Sequence, residues 1–333
     1  MNEFISLSSE PLSETCRNEP AMYAGFWRRL AAFLIDGLAL GIFGLCIGSV
    51  FFDELAHLGV WGKLVGFTIA LAYFGVLNSS IGGGQTLGKR ILNIKVVDSD
   101  GSPISIHRST IRFAIIGIPY FLNGAMIPTS NVLIQLLAGV TIFGTAFAIV
   151  YLFIFNRRTR QSLHDLAAES FVVRGTDVET PQREKFWQYH LLISSIGAVV
   201  IFVVGLLSSL FVANTFQLEG LTVAQERLLN SDRYHYASVF SGTSFGPSGQ
   251  FDFVRIVAVS NQNPQSYEAA AIDVAKIVLE SVPEIENKAA LVITITYGFD
   301  IGIASAWQNG SYNHSRQEWA EILQSSAAHE NED

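Results

Sequence analysis

Asp36 is an ionisable side chain set inside an apolar run, with Leu30 to Ile35 before it and Gly37 to Phe52 after it. As a helix these 23 residues extend about 35 Å, enough to cross a bilayer. A charge at that depth costs roughly 2.5–3.5 kcal/mol, so such a group is paired, hydrated or used. Arg29, seven residues earlier, falls on the same helical face at the expected membrane edge. Two accounts of Asp36 stand side by side: a cation or proton site, or a carboxylate paired within the bundle. A second constellation, Gln161-Ser162-Leu163-His164-Asp165, follows a cluster of arginines. His164 and Asp165 have the composition of a proton-handling pair. Alternatively Asp165 caps the following turn and pairs with an arginine.

Other chemistries are excluded by residue type and spacing. No CxxC or HExxH occurs, and the two cysteines, Cys16 and Cys46, fall in different expected environments; neither a zinc site nor a disulfide is expected, and no cofactor. Gly82-Gly83-Gly84-Gln85-Thr86-Leu87-Gly88-Lys89-Arg90 imitates a phosphate loop, but Arg90 replaces the required hydroxyl residue and no strand precedes it. In the C-terminal third His235 and His314 are isolated and no Gly-x-Ser-x-Gly segment occurs, so an enzyme is not expected.

The elements that must position these residues are membrane helices. Apolar residues make up 50% of the 333-residue chain, charged residues only 15%, and mean hydropathy is +0.35. A soluble domain carries about 25% charged residues. Five apolar segments stand out: Leu30–Phe52, Val60–Ser79, Ile111–Ile127, Val132–Phe155 and Leu191–Ala213. The third is short and interrupted by Pro119, Asn123 and Gly124, so a tilted or interfacial helix is its alternative. Alternate connections hold fourteen basic residues against one, Lys63. By the positive-inside rule this places the N-terminus in the cytoplasm and, with five spans, the C-terminus outside. The polar segment 1–22 lacks the basic start of a signal peptide and is expected to be a cytoplasmic tail.

Gly37, Gly41, Gly44 and Gly48 form a stripe on the first span, expected to admit a neighbouring helix or a second copy of the chain. Asn78, Asn123 and Gln135 are the expected hydrogen-bonding candidates for Asp36. Arg90 to Val97, followed by Asp98-Ser99-Asp100-Gly101-Ser102-Pro103, predicts a cytoplasmic β-hairpin between the second and third spans. Residues 174–190 form a basic linker and 191–213 the fifth span. Residues 214–333 carry a net charge of −9, which argues against nucleic acid as a partner. Within 214–325 the pattern predicts an acidic α+β domain of order ββαββ. Strands are expected at Tyr236–Phe240 and Phe251–Val259 around a Gly/Ser-rich loop, and a helix over Tyr267–Ser281. A hairpin is expected around Gly298 and a capped helix from Ser315, with 326–333 a disordered tail.

Taken together, three motifs resemble the RDD family of bacterial integral membrane proteins. Phe26-Trp27-Arg28-Arg29 leading to Asp36 matches its opening. Thr86-Leu87-Gly88-Lys89-Arg90 through Lys95-Val96-Val97-Asp98 and Gly101 matches its middle, and Gln161-Ser162-Leu163-His164-Asp165 its close. The resemblance covers about residues 23–173. It assigns the family arginine to Arg29 and the two aspartates to Asp36 and Asp165. It implies a helical membrane domain, usually of unassigned role; the apolar segments give that domain four spans, expected in the bacterial inner membrane. The common proposal for such proteins is transport, with cation/proton antiport attributed to some members. The expectation is therefore a transporter with Asp36 binding a small cation or proton and Arg29 tuning its charge. The lipid bilayer is the surrounding partner and a homo-oligomer is compatible. A membrane-anchored assembly protein, whose outer domain binds a partner or an envelope component, is the other reading.

Overall fold

The computed structural model describes residues 23–125, 131–157, 159–175, 187–215, 219–246, 249–281 and 290–330. The expected tail over 1–22, Arg158 and most of the basic linker lie outside the described residues.

The chain opens with α1 (Phe26–Val50), a short α2 (Phe52–His57) and α3 (Gly62–Leu77). Then come a single helical turn, α4 (Leu87–Ile91), strand β1 (Ile94–Val97) and α5 (Ile106–Leu122). Helix α6 (Val132–Gly139) passes through a π-helical turn at Val140–Gly144 into α7 (Thr145–Phe155). The last elements of this part are α8 (Leu163–Ala167), β2 (Phe171–Arg174) and α9 (Tyr189–Thr215).

Among the described residues four helices are long and apolar enough to cross a membrane: Phe26–Val50, Gly59–Leu77, Leu133–Phe155 and Tyr189–Ser208. The fifth expected segment, α5, has 17 residues, about 25 Å of helix. It lies antiparallel beside α3. Ser109 donates to the Phe74 carbonyl at one end (3.1 Å), Phe74 stacks on Phe113 (4.7 Å), and Phe121 meets the Phe67 ring edge-on at the other (5.6 Å).

The predicted hairpin after the second span is not formed as expected. Leu87–Ile91 is helical, with the Thr86 hydroxyl capping the turn. Strand β1 pairs antiparallel with β2, Ile94 opposite Arg174 and Val97 opposite Phe171. The apolar residues that suggested a local strand pair instead fill a small core with Ala24, Ala32, Ile104 and Val172. The partner strand lies beyond helices α5 to α8, where local pattern cannot reveal it.

The C-terminal part comprises α10 (Glu219–Leu229), β3 (Tyr234–Gly246), β4 (Gly249–Ser260) and α11 (Tyr267–Ser281). It continues with β5 (Ala290–Asp300), β6 (Ser305–His314) and α12 (Arg316–Glu330). The sheet order is β3-β4-β5-β6, with antiparallel pairs flanking a parallel β4–β5 pair joined through α11. One sheet face packs Ile256, Leu291 and Ile293 against Val274, Val278 and Trp319. The expected order ββαββ holds, with three corrections. The Gly/Ser-rich stretch is largely paired as strand, with Ser244 opposite Phe251. The β5–β6 turn lies at Ile301–Ala304, while Gly298 sits inside β5 opposite Trp307. The expected disordered tail is helical through Glu330. The Ser315–Glu318 capping box forms as read, with reciprocal bonds of 2.7 and 3.3 Å.

The β5–β6 tip does not end in solvent. It wedges between α1 and α3, and the glycine stripe is its seat. A Cβ at Gly44 would lie 2.8 Å from the Ala304 Cβ, at Gly48 2.1 Å from the Phe299 ring, and at Gly66 of α3 1.7 Å from the Ile301 carbonyl oxygen. Tyr297 donates to Asp53 (2.8 Å) and Lys63 pairs with Asp300 (3.3 Å). The stripe therefore receives a strand turn rather than the expected helix.

Candidate functional site

At the other end of the bundle, short elements gather the polar residues. Gly88 of α4 lies on α1 so closely that a Cβ there would stand 2.1 Å from the Ala32 carbonyl oxygen. That approach brings the start of α4 to Asp36. The Asp36 carboxylate accepts from the Gly88 N–H (2.7 Å), the Thr86 hydroxyl (2.6 Å) and the Tyr73 hydroxyl (2.8 Å). Asp36 is thus a buried acceptor holding α4 against α1 and α3. Asn78, one of the expected partners, instead accepts from the Lys89 ammonium and donates to the Phe74 carbonyl (2.9 Å).

Arg29 does not pair with Asp36. Its guanidinium reaches Asp165 (2.9 Å), the Ala24 carbonyl (3.1 Å) and the Val172 carbonyl (3.4 Å), and lies over the Phe153 ring. Arg112 of α5 approaches the other Asp165 oxygen through Nε (3.0 Å) and Nη2 (2.6 Å). Asp165 also accepts the Ser162 N–H (3.2 Å), as an α8 cap should. Burial works against the Asp165 charge, but His164 and the Arg112 and Arg29 guanidinium groups outweigh it, holding the carboxyl below the usual carboxylate range. Burial, aided by the two arginines and opposed by Asp165, holds His164 down to about 3, so the imidazole is neutral near pH 7. The geometry favours the capping-and-pairing account of Asp165 over a proton-handling pair.

Of the described Lys and Arg residues that line the cavity beside this cluster, Lys89 is the one without an ion pair. It is buried, its ammonium donates to Asn78, and among the described residues it makes no ion pair. Burial first, then the Arg112 charge, pushes it down to about 7, against the pull of Asp36 and Asp165.

These groups floor a cavity of about 310 Å³ between α1, α3, α5 and α7. Arg29, Asp36, Asn78, Lys89, Arg112 and His164 line it beside a largely aromatic and aliphatic wall. The volume sits at the lower end of the range of small-molecule clefts, about 300–1,000 Å³. Phe26 and Phe153 meet edge-to-face (5.3 Å). Phe26, Phe33 and Val150 of the lining are 40%, 36% and 50% exposed, so the cavity opens sideways between α1 and α7. Among the described residues no trio of His, Cys, Asp or Glu side chains gathers as a metal site.

Of the four residues singled out from sequence, Arg29, Asp36 and His164 line the cavity, and Asp165 anchors Arg29 and Arg112 beside it. Tyr73 and Arg112 were not singled out. Tyr73 looked like one more aromatic in a span, and Arg112 was counted as a topological charge.

The RDD family model matches residues 23–169. YckC of Bacillus subtilis (strain 168) is 26% identical over 156 residues, covering 47% of this chain and 87% of that protein. YxaI of the same organism is 33% identical over 130 residues, covering 31% of this chain and 84% of its own length. The chain belongs to the RDD family. Both relatives are described as uncharacterized proteins, and no solved structure matches. Arg29, Asp36 and Asp165, to which the resemblance assigns the family's arginine and two aspartates, all lie within the matched residues. The region beyond residue 169, including the C-terminal sheet, lies outside the match.

Proposed function

We propose that this RDD protein is a transporter of the bacterial inner membrane, with solute or coupling ion engaging the chamber floored by Arg29, Asp36, Lys89 and Arg112. The observation that carries the reading is the cavity itself. A space of about 310 Å³ inside a bundle of apolar helices, with charged and apolar groups both in its lining, has the form of an intramembrane binding site. The uneven distribution of basic residues supports an N-terminus in the cytoplasm, and with α5 crossing as a fifth span, a C-terminal sheet on the outer face.

A bare cation on Asp36 is the less favoured form of this reading, because three donors already occupy the carboxylate. In our reading Asp36 positions the Thr86–Lys89 turn, and Lys89 is the group that gains and loses a proton near neutrality. Proton-coupled transport therefore remains the favoured class, with Lys89 in the role first given to Asp36. The assembly reading draws on Phe240 and Phe245, which stand exposed on the C-terminal unit. It predicts no flux at all.

The test is flux in proteoliposomes under an imposed pH gradient, comparing native protein, Asp36→Asn and protein-free vesicles across candidate solutes. We expect native protein to exceed the vesicles and Asp36→Asn to lose most of that excess. A folded Asp36→Asn protein with full flux contradicts the reading.

A further inference from the structure

We propose that the chamber binds a singly charged anionic amphiphile, a carboxylate or phosphate headgroup on an apolar chain, which enters sideways from the bilayer between α1 and α7. The proposal deepens the transport reading and rests on its assignment of the chamber as the ligand site.

The charge inventory sets the headgroup. Three cationic groups, Arg29, Lys89 and Arg112, share the floor with two carboxylates, Asp36 and Asp165. Both Asp165 oxygens are taken by arginines, and both Asp36 oxygens by the hydroxyl and amide donors. One cation is left over, and it is the Lys89 ammonium, held by an amide oxygen alone. A buried ammonium retains its charge only with a counterion or several strong acceptors. An anion of one charge supplies both, and the same excess of positive charge repels a metal cation.

The walls set the rest of the molecule. Between and beside the charged groups the lining is Leu30, Phe33, Phe113, Ile116 and Ile149, which offer no side-chain donor or acceptor. A small hydrophilic anion would satisfy the floor and leave these walls without partner atoms. An apolar chain fills them. The mouth completes the argument. Phe26, Phe33 and Val150 of the lining are exposed on the flank of two helices long enough to span a bilayer. The path of entry is therefore through lipid, where an amphiphile resides.

The test uses full-length protein in nanodiscs of zwitterionic lipid and a photoactivatable dodecanoate as probe, with cross-linked residues mapped by mass spectrometry. Labelling is expected on α1 and α7 facing the chamber, displaced by dodecanoate and unaffected by dodecanol or acetate. Lys89→Met should weaken labelling by about tenfold or more, the usual effect of losing a charge-assisted hydrogen bond. Phosphatidylglycerol included as a competitor distinguishes the sources. Displacement by it at lower concentration than dodecanoate assigns a phospholipid headgroup, and the reverse assigns a free fatty carboxylate. If Lys89→Met does not fold, Val150→Trp, which blocks the mouth and leaves the floor intact, must abolish the labelling. Equal competition by dodecanol, native labelling in Lys89→Met, or labels only outside the chamber would overturn the proposal. Lys89-dependent labelling without any flux would retain it and remove the transport reading; flux of another solute without labelling would do the reverse.

Discussion

Asp165 is fixed by two arginines from helices that enter the layer from different directions, Arg29 of α1 and Arg112 of α5. Removing one partner of a buried pair leaves charges uncompensated and costs about 3–5 kcal/mol. Asp165→Asn should therefore lower the thermal stability of the detergent-solubilised protein markedly, and an unchanged melting temperature would refute the pairing. Lys89 sets the pH response. It faces Asp36 and Arg29 of α1, Arg112 of α5 and Asp165 of α8, and its value of about 7 must rise when an anion binds. Binding then takes up a proton. Affinity should be fullest below pH 7 and fall as pH rises above it, by at most about tenfold per unit. Affinity that is flat from pH 6 to 9, or that rises with pH, would exclude Lys89 as the contact. At this scale the sequence was informative about which residues matter and silent about their pairing. Arg29, Asp36, His164 and Asp165 were conspicuous because polar groups in apolar surroundings are costly. A seven-residue spacing made Arg29 and Asp36 look like partners, yet the guanidinium found its carboxylate 136 positions away. Helical periodicity gives a face, not the identity of what arrives there.

The helices were legible because long apolar runs have few other fates, and α11 falls at Tyr267–Ser281 as the periodicity requires. Strand partners and turn positions were not. Strand β1 pairs with β2 across intervening helices, and the β5–β6 turn at Ile301–Ala304 lies beyond the glycine that seemed to mark it. The glycine stripe was visible, but small residues admit any close neighbour, and here the neighbour is a strand turn. A side chain at Gly66 would meet the Ile301 carbonyl at 1.7 Å, which only backbone movement can relieve. Gly66→Leu and Gly48→Leu should each destabilise the protein by roughly 1–3 kcal/mol. They should also weaken a disulfide cross-link engineered between the tip and α3. Gly37→Ala, with open space around it, should do neither. Equal effects at all three positions would count against the docked tip.

Across the whole molecule the two functional ends are separated along the bundle. The charged groups line the first half of α1, and the C-terminal sheet reaches the same helices at the far end through its wedged tip. An acidic unit carried on that end is consistent with the asymmetry of basic residues, and a reporter fused after Asp333 should be active only on the outer face of the inner membrane. Cytoplasmic activity would require one span fewer, with α5 as the helix to reconsider. The central claim is that the cavity beneath Phe33 and Val150 is where the transported or coupling species sits. Its most direct test is proteoliposome flux for native protein and Lys89→Met at pH 6 and pH 8. The account predicts native flux that depends on pH, and a folded Lys89→Met protein with most of the rate and the pH dependence lost. Undiminished flux with the native pH profile in that variant would contradict it.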